Sequence, residues 1–402
     1  MTQNKNQHGK ALDWSGKSVL VTGGASFIGS HVVDRLVERG ARHVRVVDDL
    51  SSGTVDNIRT HLDTGVVELM QADLLAPGAT DAACHGVDYV FHLAAIHGGR
   101  GYVEMHDAEC GRNLVMDGLM VKSAIDADVD KFVFASSGCV YPNYIQQDIS
   151  KELYLTEEMV GPPYDSDHMY GWAKLMGELS LQSWYRQVGL RSVSCRLFTV
   201  YGERGVENHA VIAMIARAFI DQNPFEVWGD GTQIRNWTYV GDIADGMVAA
   251  AESDVVDGTP INLGTMERTR VIDAVQEVLR YTGKKAEIKF LKHMPTGPLN
   301  RVASNQRAKE LIGWSPKMKF FDGLHRTIDW YNSTKDPGVV RGYFGRMLTE
   351  RGETKAEPAG SGHDPTPTGF NHRSRQARRV HRRVLRRQGV HGGRRRRVRA
   401  HG

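Results

Sequence analysis

The 402-residue sequence predicts an α/β fold, in which a doubly wound parallel sheet carries helices on both faces. Short apolar runs alternate with helical patterns from Lys17 to about residue 200. A glycine-rich turn joins the first run to the first helical stretch, which is typical of a βαβ unit. This alternation of short apolar strands with helices indicates a parallel sheet that is buried on both faces.

The elements of this sheet can be followed along the chain. KSVLVT (17–22) predicts the first strand, and FIGSHVVDRLVERG (27–40) predicts a helix that ends at Gly40. A second long helix is predicted over MYGWAKLMGELSLQSWYRQVG (169–189). The further strand candidates are HVRVVDD (43–49), VELMQAD (67–73), DYVFHLAA (88–95), KFVFASS (131–137) and RSVSCRLF (191–198).

The pattern changes after about residue 200, where strand-like pieces such as FEVWG, NWTYV and PINLG mix with helical stretches. This mixture predicts a smaller α/β substrate lobe that exchanges chain with the first domain. The expected organisation is a polar N-terminal tail (1–14), a cofactor-binding sheet domain (15–200, with 236–264 returning to it), a substrate lobe (201–235 and 265–335) and a C-terminal tail (350–402).

An arginine-rich segment closes the chain. The formal net charge is +4, yet the stretch from Asn371 to the end holds 13 arginines and no acidic residue. Removing these 13 positive charges leaves a net charge of −9, so the body of the protein is acidic. The segment has few apolar residues and no interleaved aromatics, so we expect a disordered, solvated tail rather than a nucleic-acid arm.

Composition excludes several classes of protein. The values of 41% hydrophobic and 24% charged residues are ordinary for a globular chain. The four cysteines (Cys84, Cys110, Cys139 and Cys195) form no CxxC pair or zinc-spaced cluster, so neither a disulfide framework nor a metal site is expected. No signal peptide and no run of about 18 apolar residues is found. We therefore expect a cytoplasmic protein without a membrane partner.

The first turn has the spacing of a dinucleotide-binding loop. It keeps Gly23 and Gly29 of a GxxGxxG pattern and has Ser26 in the middle, and such glycines let the backbone approach a pyrophosphate. Asp48 ends the second strand, where a carboxylate accepts ribose hydroxyls and repels a 2′-phosphate. The sequence therefore predicts a Rossmann sheet that binds NAD rather than NADP. The expected contacts are Gly23, Ser26, Phe27, Ile28, Gly29, Asp48, Asp73 (at the adenine) and Leu74.

Tyr170 and Lys174 form a YxxxK pair, which places a phenol and an ammonium on one face of a helix. A neighbouring ammonium lowers the pKa of a phenol from about 10 towards neutral pH. Tyr170 is therefore predicted to be the acid/base that handles a carbinol proton. The pair becomes specific in combination with the dinucleotide loop and the strand-end segment SSGCVYP (136–142).

Together these motifs resemble those of the extended short-chain dehydrogenases/reductases of the nucleotide-sugar epimerase type, over about residues 15–335. The resemblance implies that Ser137 polarises the sugar C4 oxygen beside the catalytic pair Tyr170 and Lys174, and that the enzyme is a homodimer. Thr199 stands where the family usually has asparagine, which puts that phosphate contact in doubt. Further implied contacts are Leu93, Ala94, Ala95, Asn113, Tyr170 and Lys174 for the cofactor, and Gly98, Gly99, Arg100, Ser137, Trp228, Arg235 (diphosphate) and Arg301 (phosphate) for the substrate.

Cys139 distinguishes among branches of that family. Dehydratases carry an Asp-Glu pair where this chain has Gly138 and Cys139. GDP-mannose 3,5-epimerase and GDP-fucose synthase carry a cysteine there, a GG loop and a second acid/base at a helix start. The loop is present here, and His209 occupies the position of the second acid/base. The resemblance therefore favours the 3,5-epimerase branch, with features of the fucose synthase.

The chemistry of such a pair supports an epimerase. Oxidation at C4 leaves a ketone that acidifies the protons on C3 and C5, and a thiol and an imidazole both titrate near neutral pH. The preferred hypothesis is an NAD-dependent isomerase that inverts C3, C5 or both on a nucleotide-diphosphate sugar, with a GDP-sugar favoured by the resemblance. The alternatives are a nucleotide-sugar 4-epimerase, a fucose-synthase-like epimerase/reductase, which would need NADPH against Asp48, and an idle sensor or nucleic-acid binder.

Four of these residues also have plain structural interpretations, which the sequence leaves open. Cys139 could fill space at a strand end, and His209 could be a polar residue at a helix start. Arg235 could form a surface salt bridge, and Trp228 could pack in a core.

Overall fold

The structure is a computed structural model that describes residues 12–347. The predicted C-terminal tail (350–402) and residues 1–11 of the predicted N-terminal tail lie outside the described residues. Trp14, the last residue of that predicted tail, is buried, and its indole nitrogen donates to Glu252 Oε1 at 2.7 Å.

The described chain contains strands and helices in alternation. The helices are α1 (Phe27–Glu38), α2 (Arg59–Asp63), α3 (Ala79–Cys84), α4 (Arg100–Met105), α5 (Asp107–Cys110), α6 (Asn113–Asp126), α7 (His168–Val188), α8 (Ala210–Phe219), α9 (Val240–Glu252), α10 (Val271–Thr282), α11 (Gln306–Ile312), α12 (Phe320–Thr334) and α13 (Pro337–Met347). The strands are β1 (Ser18–Thr22), β2 (His43–Asp48), β3 (Val67–Gln71), β4 (Tyr89–His92), β5 (Lys131–Ser137), β6 (Ser192–Leu197), β7 (Val200–Tyr201), β8 (Phe225–Trp228), β9 (Ile234–Arg235), β10 (Thr238–Tyr239), β11 (Asp257–Leu263), β12 (Thr269–Arg270), β13 (Ile288–Leu291) and β14 (Asn300–Arg301).

Seven of these strands form one parallel sheet, in the order β11-β6-β5-β4-β1-β2-β3. Every residue of β1 and β5 is buried, as expected where helices cover both faces of a parallel sheet. Val19 and Val21 of β1 pack in one core with α1 and α9, while Leu20 packs in another with α6 and α7. The predicted doubly wound α/β fold is therefore confirmed.

The order of the strands places a crevice above β1 and β4. The chain leaves β1 for β2 and β3 on one side, then returns to β4, β5 and β6 on the other side. In such sheets ligands bind beyond the carboxyl ends of the strands at the point where the order reverses. The loops that follow β1 and β4 therefore flank the expected binding crevice.

A second core is built from residues after β6. The apolar faces of α8, α10 and α12 pack around β8, and β8 pairs in parallel with β13. Strand β9 pairs with β12 and β14, whereas β11 returns to the edge of the large sheet beside β6. Residues 12–347 lie within one compact unit, and the division into a sheet domain and a substrate lobe stays a prediction. Between residues 12 and 347, no helix combines the length and the apolar character needed to span a bilayer.

Candidate active site

A cavity of about 590 Å³ opens beyond the carboxyl ends of the parallel strands and extends to α8, α10 and β8. A volume of this size is typical of a small-molecule site. All but one of the residues predicted for the site line it: Gly23, Ser26, Phe27, Ile28, Gly29, Asp48, Asp73, Leu74, Leu93, Ala94, Ala95, Gly98, Gly99, Arg100, Ser137, Cys139, Tyr170, Lys174, His209, Trp228, Arg235 and Arg301.

The exception is Asn113, at the start of α6. It is fully buried, and its side-chain oxygen accepts from the backbone nitrogen of Ile96 at 2.7 Å. Its amide nitrogen donates to the backbone oxygens of Ile96 and Cys110, at 2.9 Å in both cases. Asn113 therefore holds the loop after β4 in place, and it does not line the cavity as the expected cofactor contact would.

The N-terminus of α1 forms a cradle at one end of the cavity. A β-carbon on Gly29 would lie 2.1 Å from the backbone oxygen of Gly23, so only glycine allows this turn. Ser26 precedes the helix without a side-chain cap, and its hydroxyl donates to Asp48 Oδ2 at 3.2 Å rather than standing ready for a phosphate. The first turn of α1 thus presents backbone to the cavity, an arrangement that suits a pyrophosphate.

Asp48 closes the other side of this cradle. Its Oδ2 accepts from the backbone nitrogen of Ala25 at 3.1 Å, and its Oδ1 accepts from that of Leu50 at 2.9 Å. Burial raises the pKa of Asp48, although these hydrogen bonds favour its charged form. A carboxylate at the end of β2 that also orders the glycine loop fits the ribose of NAD.

The strand-end segment SSGCVYP divides its side chains between the cavity and the protein interior. Ser136 faces inward and donates to Glu178, which forms a buried bidentate pair with Arg196 at 2.9 and 2.7 Å. Ser137 faces the cavity, and its hydroxyl accepts from the backbone nitrogen of Cys139 at 3.1 Å. The first serine is therefore structural, while the second remains available to a ligand.

Tyr170 lies in the first turn of α7, and Lys174 lies one turn later. The lysine nitrogen is 6.0 Å from the centre of the Tyr170 ring. Burial raises the pKa of Tyr170 and so does the nearby Cys139, whereas a hydrogen bond with Ser137 lowers it. Burial also lowers the pKa of Lys174. The pKa of the phenol is therefore raised, not lowered as the sequence predicted, because burial outweighs the hydrogen bond with Ser137.

Cys139 Sγ accepts a hydrogen bond from Arg301 Nη1 at 3.4 Å. The same guanidinium donates to Gln146 Oε1 at 2.8 Å and to Asp167 Oδ2 at 3.2 Å, which fixes its orientation. Cys139 is thus only partly buried, in contact with a cation at the cavity wall, and does not simply fill a core.

His209 precedes the first turn of α8 and lies across the cavity from the strand ends. Its ring stacks on that of His97 with centroids 6.0 Å apart, and it lies 5.9 Å from the ring of Phe27. The surrounding protein lowers the pKa of His209 to about 4, so the expected titration near neutral pH is wrong. At neutral pH this imidazole can accept a proton but has none to donate as a cation.

The sequence analysis missed His97, whose ring lies between His209 and Tyr170. Its centroid is 6.0 Å from that of Tyr170. The loop that carries His97 lies very close to the start of α8: a β-carbon on Gly99 would be 1.6 Å from the backbone oxygen of Asn208. The sequence signal that could have identified His97 is its position between the AA and GG motifs, in a loop that borders the cavity.

Three arginines converge on the cavity beside Cys139. Arg100 Nη1 donates to both oxygens of Asp167 at 3.0 and 2.9 Å, and Arg301 also donates to that carboxylate. Burial opposes ionisation of Asp167, but Arg301 and Arg100 outweigh it and lower its pKa. Burial, followed by repulsion from Arg301 and Arg100, lowers the pKa of Arg235 to about 9. Glu104 Oε1 also accepts from Arg100 Nε at 2.7 Å. Three guanidinium groups thus face two carboxylates, and the cluster suits an anionic ligand.

The far end of the cavity combines an aromatic ring with a cation and a carboxylate. Trp228 and Glu226 come from β8, and Arg217 comes from the last turn of α8. Arg217 is 4% exposed, and its Nε has no hydrogen-bond partner within the described chain. Burial lowers the pKa of Arg217 to about 10, and Glu226 opposes the shift. Neither Glu226 nor Arg217 was identified from the sequence.

A scan of protein families matches residues 19–264 to the NAD dependent epimerase/dehydratase family. The match begins in β1 and ends just after β11, so it includes the cofactor cradle, SSGCVYP, Tyr170, Lys174 and His209.

Relatives of known name agree with this match. GDP-mannose 3,5-epimerase 1 of Oryza sativa subsp. japonica is 29% identical over 317 residues, covering 78% of this chain and 81% of the relative. An uncharacterized UDP-glucose epimerase of Bacillus subtilis (strain 168) is 30% identical over 321 residues, covering 78% and 98%. The crystal structure of UDP-glucuronic acid 4-epimerase from Bacillus cereus, in complex with UDP-glucuronic acid and NAD, has a TM-score of 0.72 at 28% identity and covers 79% of this chain and all of that one.

Proposed function

This chain belongs to the NAD dependent epimerase/dehydratase family, and we propose that it inverts C3, C5 or both on a nucleotide-diphosphate sugar after transient oxidation at C4. The cofactor is NAD, as the sequence predicted, and the enzyme class is a nucleotide-sugar epimerase. The observation that carries the finer proposal is the joint presence of Cys139, His209, Tyr170 and Lys174 in one cavity.

Oxidation and reduction at C4 fall to Ser137, Tyr170 and Lys174. The cradle of α1 and Asp48 would hold NAD, which would supply the hydride acceptor and donor for C4. Tyr170 takes the proton of the C4 hydroxyl group, and Ser137 donates a hydrogen bond to the C4 oxygen. The ammonium of Lys174, one helical turn after Tyr170, stabilises the phenolate by electrostatic attraction.

Inversion falls to His209 and Cys139. The C4 ketone makes the protons on C3 and C5 acidic, so a neutral base can remove one of them. His209 is neutral at neutral pH because its pKa is about 4, so its imidazole is free to accept this proton, although the low pKa also makes it a weaker base. The thiol of Cys139 returns a proton on the opposite face, and Arg301 stabilises the thiolate that remains. Between turnovers His209 releases its proton to solvent and the thiolate of Cys139 takes one up from solvent, which restores the starting protonation states.

Arg100, Arg235 and Arg301 bind the diphosphate in this proposal. Their three positive charges exceed the two negative charges of Asp167 and Glu104, and a diphosphate supplies further negative charge. Glu226 and Arg217 favour a GDP-sugar at the far end. Guanine offers N–H groups to a carboxylate and acceptor atoms to a guanidinium, and Trp228 provides a stacking surface.

The decisive experiment incubates the full-length protein with GDP-mannose in D2O and follows the ring protons by NMR. Deuterium should enter at C3, C5 or both, because the inverted carbon receives its proton from groups that exchange with solvent. We expect Cys139→Ser to lower this incorporation by about 100-fold or more, in keeping with the loss of an acid/base group. His209→Asn should lower it by a similar factor.

Cys195→Ala is the matched control, because this cysteine lies fully buried in β6 and outside the cavity lining. It should retain deuterium uptake. Turnover at C4 of UDP- or GDP-sugars without deuterium uptake would contradict inversion at C3 or C5. It would favour the second candidate, a nucleotide-sugar 4-epimerase, which the Bacillus cereus structure supports. Consumption of a reduced cofactor would favour a fucose-synthase-like epimerase/reductase.

A further inference from the structure

Lys174 is an unusually isolated cation. Its side chain is 1% exposed, and its Nζ makes no hydrogen bond to any part of the chain that the structure describes. The ring of Phe134 lies 4.6 Å from the nitrogen, and Asp117 Oδ2 lies 3.9 Å from it. Glu178, one turn further along α7, is paired with Arg196 and is not available. The charge of Lys174 therefore depends on Asp117.

Asp117 lies on α6 and is itself held by His92 of β4. His92 is fully buried, and its Nε2 lies 3.0 Å from Asp117 Oδ1. The second oxygen of Asp117, Oδ2, makes no hydrogen bond to the described residues and faces Lys174. The carboxylate thus has one oxygen fixed by the imidazole and the other directed at the ammonium.

The tautomer of His92 follows from the bonds of Thr22, at the end of β1. The Thr22 hydroxyl oxygen accepts from the backbone nitrogens of Leu93 and Ala94, at 3.1 and 3.0 Å. Its single hydrogen is therefore left for His92 Nδ1, which lies 2.8 Å away. His92 must then carry its own proton on Nε2 and donate it to Asp117. This chain of contacts starts at the cofactor-lining loop after β4 and ends at the catalytic lysine.

We propose that Asp117, oriented by His92, is the positioning residue that keeps Lys174 charged beneath Tyr170. This inference rests on the proposed function, because Tyr170 is taken there as the acid/base at C4. Asp117 touches neither substrate nor cofactor in this scheme, and it acts only through the lysine. Lys174 is buried on the same helix as Tyr170, and burial disfavours its charged form. Asp117 supplies the opposite charge that offsets this effect.

The charged groups around the pair support this assignment. Among the described residues, Asp117 is the one charged neighbour that influences Lys174, and it opposes the effect of burial on the lysine pKa. Burial raises the pKa of Tyr170, Cys139, Asp117 and Cys110 raise it further, and the hydrogen bond with Ser137 lowers it. Asp117 therefore has two opposite effects on the phenol, a direct one that hinders ionisation and an indirect one through Lys174 that favours it.

The direct test uses the full-length, NAD-bound protein with carbon-13 at the ε-carbons of lysine, and identifies the Lys174 signal by its loss in Lys174→Gln. At neutral pH we expect the chemical shift of a charged ammonium in the wild type and of a neutral amine in Asp117→Asn. The midpoint of the Lys174 titration should fall by about 1 to 3 pH units, the effect of removing an opposite charge at this distance. A neutral Lys174 in the wild type, or a charged one in Asp117→Asn, would overturn the proposal.

Substitutions at His92 distinguish its hydrogen bond to Asp117 from the packing of its ring in the core. His92→Gln can still donate to Asp117 and accept from Thr22, so the charge of Lys174 should survive. His92→Leu removes both bonds and should lower the titration midpoint of Lys174. Ser123→Ala is the control on the same helix, because Ser123 bonds to Thr80 and lies outside this network. Equal behaviour of His92→Gln and His92→Leu would contradict the assigned role of His92.

A second readout follows Tyr170 itself, through the ultraviolet absorption of its phenolate with Tyr170→Phe as the blank. In Asp117→Asn the phenol should ionise at higher pH than in the wild type, because the lysine no longer supports it. Ionisation at lower pH would mean that the direct repulsion by Asp117 outweighs its effect through Lys174, and unchanged ionisation would mean that the two cancel. Either result would overturn the proposal. Neither readout needs a sugar, so failure of GDP-mannose as substrate would not affect them.

Discussion

At the scale of single residues, the surroundings of His209 and Cys139 support different parts for them in the proposed mechanism. Burial lowers the pKa of His209 to about 4, so its imidazole is neutral at neutral pH and can receive a proton. Arg301 Nη1 lies 3.4 Å from Cys139 Sγ and places positive charge beside the sulfur. We therefore expect the imidazole to receive a proton and the thiol to give one.

The same pKa predicts how stability depends on pH. The folded-state pKa of His209, about 4, lies below the value of about 6.5 expected for an unfolded histidine. As pH falls through this window the unfolded chain takes up a proton that the folded protein does not, so stability is lost. His209→Gln removes this component, and its melting temperature should fall less than that of the wild type between about pH 6.5 and pH 4.

Thermal denaturation across this pH range checks the prediction. His85→Gln is the control, because His85 is exposed, and it should lose melting temperature as steeply as the wild type. An equally steep loss in His209→Gln would show that the folded protein protonates His209 as readily as the unfolded chain does.

The base end of the cavity yields a prediction about specificity. Glu226→Gln replaces one acceptor oxygen with an N–H donor, which a guanine cannot match, whereas uracil has little to lose there. We expect GDP binding to weaken by about 1–3 kcal/mol and UDP binding to change little. Calorimetric titration of the NAD-bound protein with GDP and UDP measures both affinities. Glu287→Gln, at an exposed glutamate, is the control. Equal losses for GDP and UDP would contradict base recognition by Glu226.

At the scale of elements, a buried polar network holds the catalytic strand end against its helix. Arg196 of β6 pairs with Glu178 of α7 and also donates to the hydroxyl of Tyr141 at 3.2 Å. Tyr141 in turn donates to Asn262 of β11 at 2.8 Å. Strands β6 and β11 and helix α7 are thus fixed relative to SSGCVYP by bonds that leave few polar atoms unpaired.

This network predicts a large cost for removing one member. Arg196→Met leaves the carboxylate of Glu178 buried without its cation, and we expect a loss of about 3–5 kcal/mol in the free energy of unfolding. The double variant Arg196→Met/Glu178→Gln should recover part of the loss, because no uncompensated charge remains. Chemical denaturation measures the free energy of unfolding.

The control for this comparison is Arg59→Met. Arg59 pairs with Asp56, and their side chains are 60% and 76% exposed, so this substitution should cost less than about 1 kcal/mol. A cost for Arg196→Met no greater than that of the control would show that the buried pair contributes little.

At the scale of the whole molecule, the sequence predicted the parallel sheet and the position of the cleft, but it did not predict the polar contacts between residues far apart in the chain. Strands such as β5 and helices such as α7 have strong periodicity, and a parallel sheet brings their carboxyl ends to one edge. Local patterns do not report pairings such as His92 with Asp117, which are 25 positions apart. They also do not report burial depth, which raises the pKa of Tyr170 where a lower one was expected and lowers that of His209 away from neutral pH.

The expected homodimer stays a prediction, and the surface of α6 and α7 gives it a specific form. Leu114, Val115 and Leu119 of α6, with Trp172 and Met176 of α7, are each at least 37% exposed although large and apolar. The two helices pack side by side, and a β-carbon on Gly118 would meet no atom within 4 Å. Such a patch on neighbouring helices favours self-association about a twofold axis. We therefore expect a particle of twice the 44.7 kDa chain mass.

Light scattering after size-exclusion chromatography measures this mass. Val115→Glu places a charge in the middle of the patch, where a second copy would bury it, so the variant should elute as a monomer. Leu311→Glu is the matched control, since Leu311 is 47% exposed on α11 outside the patch, and it should leave the dimer intact. A monomeric wild type would contradict the dimer. A dimer that survives Val115→Glu would place the interface elsewhere, because a buried, unpaired glutamate at its centre costs more than the rest of a small interface can offset.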